Sequence, residues 1–244
     1  MSAIMRSDDN FEITEDQAIM RLAPNYNGVL YSFIAPFLQG AILEVGSGIG
    51  NFTEKIIEND DVTSVTCFEI DPSCCGWFKE RMRFNRNKSK VTLYEYNFNQ
   101  SDLTERFDFA FSFNVLEHIE DDRTAVNKMV EYLKPAGCLF LYLPAMQWLY
   151  GSIDKELGHY RRYNKAMIKD LFSGLPAQIV DLEYCNIIGA LGWFYTNRIL
   201  KRKSQSRDLV SFFDTYIFPP AHAAERYLPR FLGANLYALI RRTG

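Results

Sequence analysis

Between Ala41 and Tyr142, five short apolar runs alternate with longer charged segments, and this order restricts the fold more than any other feature of the chain. The runs are AILEV (41–45), SVTCFEI (64–70), VTLYEY (91–96), FDFAFSF (107–113) and CLFLYL (138–143). Each has the length and apolar density of a strand buried on both faces. Between them, NFTEKIIEN, SCCGWFKERMRFN and DRTAVNKMVEYL repeat apolar residues at three and four positions, the spacing of one helix face. Strand alternating with helix predicts a doubly wound α/β fold with a mostly parallel sheet. Two later runs, AQIVDLEYCNI and ANLYALIRR, bring the expected sheet to seven strands. Asn164 is placed to cap a helix reaching about Phe172, and residues 186–232 read as three helical pieces broken at Pro219-Pro220 and Pro229. A single domain is expected: a core of about 37–185 plus 234–242, and a mostly helical cap from 1–36, 146–163 and 186–232.

Composition narrows the function classes. With 244 residues, 48% hydrophobic and 23% charged, the chain falls outside the disordered, collagen-like and coiled-coil classes. A formal charge of -3 supplies no overall positive field for a polyphosphate backbone, so nucleic acid is not an expected partner. The charge is uneven: from Asn186 onward nine Lys/Arg face three Asp/Glu, which leaves -9 on residues 1–185. Five cysteines, an odd number without a C-x-x-C pair, indicate a reducing compartment. The acidic start MSAIMRSDDNFEITED lacks the layout of a secretory leader, and no apolar stretch approaches the roughly 18 residues of a membrane span, so a cytoplasmic location is expected.

The chemistry starts at LEVGSGIG (43–50), where Gly46, Gly48 and Gly50 lie between the first strand and a helix. Glycines there let the chain turn sharply and a ligand approach the main chain, while the helix start presents free N–H groups. A phosphate loop requires Gly-Lys-Ser/Thr, but Gly50 is followed by Asn51 and Phe52. A dinucleotide fingerprint G-x-G-x-x-G/A counted from Gly46 requires a small residue at 51, where Asn51 stands; a nicotinamide-dependent oxidoreductase is therefore the weaker alternative. Glu69 ends the second strand 19 residues beyond Gly50, where an acid meets ribose hydroxyls in either nucleotide class.

Taken together, EVGSGIG, FEID, YNFN and FDFAFSFNVLEHIEDD, followed by LKPAGCLFLYLP, resemble the class I S-adenosylmethionine-dependent methyltransferases over roughly residues 25–165. The LEHI turn is similar to that of the ubiquinone-biosynthesis O-methyltransferases. The segments NYNGVLYSFIAPFL and LYGSIDKELGHYRRYNKAMIKDLF are similar to a bacterial group associated with glycosyltransferase and natural-product genes. The resemblance implies a Rossmann-like fold, S-adenosylmethionine as cofactor and S-adenosylhomocysteine as product. It places Glu44, Gly46, Ser47, Gly48 and Gly50 at the methionine end, Glu69 on the ribose, Ile70 on the adenine face, and Asn97 and Phe98 at the adenine edge. Asn114 and Val115 fall beside the aminoacyl group and sulfonium, with Tyr26 closing over the carboxylate. Asn97 stands where many relatives have Asp, and Asn114 where the ubiquinone enzymes often have Glu; the second difference removes a metal ligand, so no metal is expected.

Methyl transfer from a sulfonium asks the protein to align the reacting atoms and exclude water, and a hydroxyl acceptor also gains from a base. His118 and His159 are the candidate catalytic histidines, each weighed against a structural role, while His222 reads as structural. Trp148, Tyr150, Tyr160, Arg161 and Tyr163 are the candidate acceptor-site residues. Arg161 and Arg162 suit an acidic acceptor, or alternatively pair with Asp154 and Glu156 to pin their loop. The apolar stretch and basic end of IIGALGWFYTNRILKRK (187–203) suit a lipid surface, but packing over the core or in a dimer contact is the favoured reading. The expected reaction is methylation of an oxygen or nitrogen on a small molecule or saccharide. Transfer or cyclisation of the aminoacyl chain and a non-catalytic nucleotide-binding scaffold stay open, as does the oligomeric state.

Overall fold

The computed structural model describes residues 23–195, 207–225, 227–228 and 230–244. The parts of the expected cap at 1–22 and 196–206, and Pro229, lie outside the described residues.

The apolar runs form β1 (Gly40–Val45), β2 (Val62–Phe68), β3 (Val91–Tyr94), β4 (Phe107–Phe113), β5 (Leu133–Pro144), β6 (Ala177–Cys185) and β7 (Asn235–Arg242). They make one seven-stranded sheet in the order β3-β2-β1-β4-β5-β7-β6. β1 to β5 are parallel, and β7 inserts antiparallel to both β5 and β6. The central strands β1 and β4 and the second half of β5 are buried, with residues alternating between two cores. On β1, Ile42 enters a core with Leu30, Ile34, Ile56 and Phe78, whereas Leu43 and Val45 enter the opposite core with Val126, Met129 and Ile168. The same alternation sends Phe109 and Phe111 of β4 to the first core and Ala110 to the second.

The helices that provide this cover are α1 (Pro24–Ile34), α2 (Thr53–Ile56), α3 (Pro72–Met82), α4 (Asp122–Tyr132), α5 (Ser152–Glu156), α6 (Lys165–Leu171) and α7 (Ile187–Trp193). Local capping sets several starts: Asp71 accepts from Ser73 and Cys74, Asp121 from Thr124, and Asn164 from Met167. All five cysteines are free thiols.

The carboxyl-terminal helices differ from the sequence expectation. α8 (Arg207–Phe212), a π turn (Phe213–Ile217) and α9 (Phe218–Glu225) follow one another directly, so the run does not break at Pro219-Pro220. The π turn bonds Phe218 N–H to the Phe213 carbonyl and widens the helix just before two residues that lack an N–H. This run fastens to the amino-terminal helix. Buried Asp214 accepts from Asn25 N (3.0 Å) and Tyr26 N (2.8 Å), capping α1 from the other end of the chain.

Candidate active site

Ligands in open α/β sheets bind beyond the carboxyl ends of the strands. There, β1 runs into the glycine turn, in which Gly46, Gly48 and Gly50 all take positive φ (80°, 54° and 79°). Their reasons differ. A Cβ on Gly46 would come within 2.1 Å of Val115 Cγ2, and one on Gly50 within 2.9 Å of the Phe78 ring, whereas one on Gly48 would enter open space. Gly46 and Ser47 tie the turn to β2 through the Phe68 carbonyl at 2.8 and 3.0 Å.

Glu69 stands directly against this turn. Its Oε2 accepts from Gly48 N at 2.7 Å, and its Oε1 accepts from Ile70 N (2.8 Å) and Asp71 N (2.9 Å). Ile70 is 64% exposed beside it. The Asn97 side chain accepts from Asn99 N, and the Phe98 ring is buried 5.0 Å from that of Phe68. Glu44 is buried beneath the turn; its carboxyl accepts from the Thr53 hydroxyl at 2.5 Å, and burial pushes it up to about 8. Asn114 has φ of 52° and bonds through its main chain to Tyr142, while its side chain reaches Tyr26. The Tyr26 hydroxyl lies 3.2 Å from that of Tyr142, and burial raises its pKa.

Val115 covers Gly46, and three residues later His118 meets His159, their rings edge to face at 4.6 Å. The long connection after β5 is folded back by an internal polar cluster. Asp154, fully buried, binds His159 Nδ1 at 3.0 Å, Arg162 Nε at 2.7 Å and Gly151 N at 3.0 Å. Burial alone would raise the Asp154 carboxyl, but the bonds from His159 and Arg162 outweigh it and hold it at about 2. Arg162 also binds the Ala145 carbonyl and lies 4.8 Å from the Trp193 ring centroid. The His118 ring bonds to the Leu157 carbonyl, and crowding against the fold and His159 pulls its pKa down.

Arg162 thus pairs with Asp154, but Arg161 pairs with Asp122 (2.7 Å) and the carbonyls of Ile119 and Glu120, not with Glu156. Tyr163 is fully buried with its hydroxyl on Asp122, and the Tyr150 hydroxyl is held by the His159 carbonyl. Trp148 and Tyr160 are half exposed and face outward.

Two residues that sequence reasoning did not single out complete the site. Tyr142 joins Tyr26, hydroxyl to hydroxyl. Glu117, fully buried, has no hydrogen-bond partner on either carboxyl oxygen, and burial raises it to about 8. The sequence signal for Glu117 was its lone charge among the apolar residues of VLEHI. Where no metal was expected, Glu117, His118 and His159 bring three ligand atoms within 4.8 Å of one another, a set suited to a borderline divalent cation.

A methyltransferase-domain family profile matches residues 43–139, the stretch that builds the glycine turn, Glu69 and the His118 turn. Residues 43–139 thus match a methyltransferase domain, and the chain as a whole has the fold of the class I methyltransferases. The domain is 26% identical over 98 residues to the malonyl-[acyl-carrier protein] O-methyltransferase of Acetivibrio thermocellus, a match that covers 40% of this chain and a third of that protein's length. Among solved structures, it is similar to the N-methyltransferase NodS of Bradyrhizobium japonicum bound to S-adenosylhomocysteine (18% identity, 98% and 90% of the two chains, TM-score 0.54). It is also similar to a proposed sarcosine dimethylglycine methyltransferase of Galdieria sulphuraria (13% identity, 98% and 92%, TM-score 0.62). Domains of this class use S-adenosylmethionine, and the residues of this methyltransferase domain fit it. The Ser47 hydroxyl is buried in the turn without a partner, Gly48 borders open space, and the Glu69 carboxylate stands at the same point.

Proposed function

We propose that the domain transfers the methyl group of S-adenosylmethionine to an oxygen or nitrogen of a small-molecule or saccharide acceptor, with His159 as the base. The observation that carries this reading is the Asp154–His159 pair, which meets His118 three residues along the chain from the Val115 that covers the glycine turn.

When bound, the cofactor supplies a methyl group already activated on sulfonium. The turn at 46–50, Glu69, Asn97 and Asn114 would hold its two ends, with Tyr26 closing from α1. The Asp154 carboxylate accepts the Nδ1 proton of His159, which leaves Nε2 as the basic nitrogen. His159 Nε2 takes the proton of an acceptor hydroxyl as the new bond forms, while the folded connection 146–163 keeps water from the reacting atoms. Trp148 and Tyr160 supply exposed aromatic surface for the acceptor. The test is incubation of the protein with isotopically labelled donor and a metabolite extract. A labelled acceptor together with S-adenosylhomocysteine supports the reading; methylthioadenosine as product moves the chemistry to the aminoacyl chain.

The unpartnered carboxyl of Glu117 favours a second reading, in which Glu117, His118 and His159 hold a divalent cation that orients the acceptor oxygen. In that reading Asp154 and the Leu157 carbonyl orient the two histidine ligands from behind.

A further inference from the structure

A recess of about 710 Å³ opens at the β6 edge of the sheet, lined by Lys165, Asp181, Glu183, Tyr184, Arg230 and Phe231. None of the residues assigned above to the donor or the acceptor lines it. Asp181 and Glu183, two positions apart on β6, fall on the same face of the strand. Tyr237 of β7 lies opposite Glu183 in register and donates its hydroxyl to Asp181 at 2.9 Å. Arg230, in the turn before β7, donates to that same hydroxyl at 3.3 Å. Lys165, the first residue of α6, reaches Glu183 at 2.9 Å and lies 5.4 Å from the Tyr184 ring centroid. Phe231, beside Arg230, is 66% exposed.

The lining selects its ligand. Two cations face two carboxylates, so an ion of either sign meets repulsion as well as attraction, whereas a neutral polyol uses all four groups. Lys165 already neutralises Glu183, which leaves that carboxylate an acceptor for hydroxyls rather than a seat for a second cation. The Arg230 fork carries five N–H donors and pairs with the Tyr237 hydroxyl rather than with a carboxylate among the described residues. The apolar C–H face of a sugar ring packs on an exposed aromatic such as Phe231. The volume lies within the roughly 300–1,000 Å³ of small-molecule pockets. We propose that this recess is a saccharide-binding subsite. Tyr142, Tyr237 and Glu183 are register partners across β5, β7 and β6, so the recess sits two strands, about 10 Å, from Tyr142 at the same level of the sheet. A saccharide seated here extends toward the methyl-transfer site; that extension rests on the function proposed above, whereas sugar binding itself does not.

Saturation-transfer NMR of the full protein with the methyl glycosides of glucose, galactose, rhamnose and N-acetylglucosamine tests this, with glycine betaine and glycerol 3-phosphate as zwitterionic and anionic comparisons. Saturation of the ring protons of at least one glycoside is expected, and none of either comparison. Arg230→Ala and Phe231→Ser each raise the dissociation constant of that glycoside by at least about tenfold. Both keep S-adenosylhomocysteine affinity, since neither residue belongs to the glycine turn or to the Glu69 strand end, and the exposed Phe231→Ser also keeps the melting temperature. No saturation of any of the four glycosides, or a signal that survives both substitutions, overturns the proposal. So does stronger saturation of betaine or glycerol 3-phosphate, which assigns the recess to a charged ligand. Sugar binding that both substitutions weaken, in a protein that methylates nothing, upholds the subsite and removes the methyl-transfer reading.

Discussion

The Asp154 carboxylate grips His159 Nδ1 at 3.0 Å and Arg162 Nε at 2.7 Å with the same oxygen, so a single buried charge sets both the histidine tautomer and the fold of the connection that carries it. Asp154→Asn keeps the volume but removes the charge that holds the Nδ1 proton. If His159 is the base, kcat falls by about 10² to 10⁴-fold with little change in cofactor affinity. Arg162→Lys is the control for a purely structural role, since it strains the same loop without touching the imidazole. The measurement is kcat and KM against pH for both variants; wild-type kcat in Asp154→Asn across the range rules out the base assignment.

The cofactor reading ranks substitutions around the turn. Gly46→Ala pushes a Cβ into Val115 at 2.1 Å, whereas Gly48→Ala meets no atom and bears only the strain of a positive φ, about 1–2 kcal/mol. Gly46→Ala should therefore lower both stability and S-adenosylhomocysteine affinity more than Gly48→Ala. Glu69→Gln removes the charged acceptor and should cost about 10 to 150-fold in affinity. Calorimetric titration with S-adenosylhomocysteine checks all three, and an unchanged affinity in Glu69→Gln means the ribose lies elsewhere.

Two buried carboxyls, Glu44 and Glu117, are raised by burial from 4.5 to about 8. A raised carboxyl keeps its proton in the folded state while the unfolded chain releases it, so their contribution is complete below about pH 4.5 and is lost as pH rises through about 8. Melting temperature should fall between these limits for the wild type. Glu117→Gln, which cannot ionise, should flatten that fall. Identical slopes for the two proteins across this window would mean that Glu117 is charged or solvated at neutral pH.

Cation binding at Glu117 must displace its proton, so the second reading makes a specific demand. Equilibrium dialysis of the apoprotein against Co²⁺ should yield one bound ion, with proton release, and Glu117→Gln or His118→Ala should abolish it. An absorption band from histidine-bound cobalt reports the site without any activity measurement. Binding that survives both substitutions places the ion elsewhere and leaves the base reading alone.

The parts of this molecule visible in its sequence are those fixed by local pattern. The strands were legible because residues such as Ile42 and Leu43 face opposite cores and must both be apolar, and the α6 start because Asn164 caps its own helix. What escaped depends on long-range placement. Arg161 finds Asp122 rather than nearby Glu156 because the start of α4 comes to rest beneath the connection. The helix through Pro219-Pro220 survives because a π turn, which no local spacing announces, precedes it. Glu117 carried a signal, a charge within an apolar turn, but its burial without a partner follows only from the surrounding fold.

The cap on α1 has a consequence for synthesis. Tyr26 N–H is satisfied by a side chain 188 positions downstream, so α1 lacks this latch until Asp214 has left the ribosome. Strands β1 to β5 can pair as they emerge, yet α1 stays unlatched until Asp214 follows it, and β6 finds its neighbour only when β7 arrives.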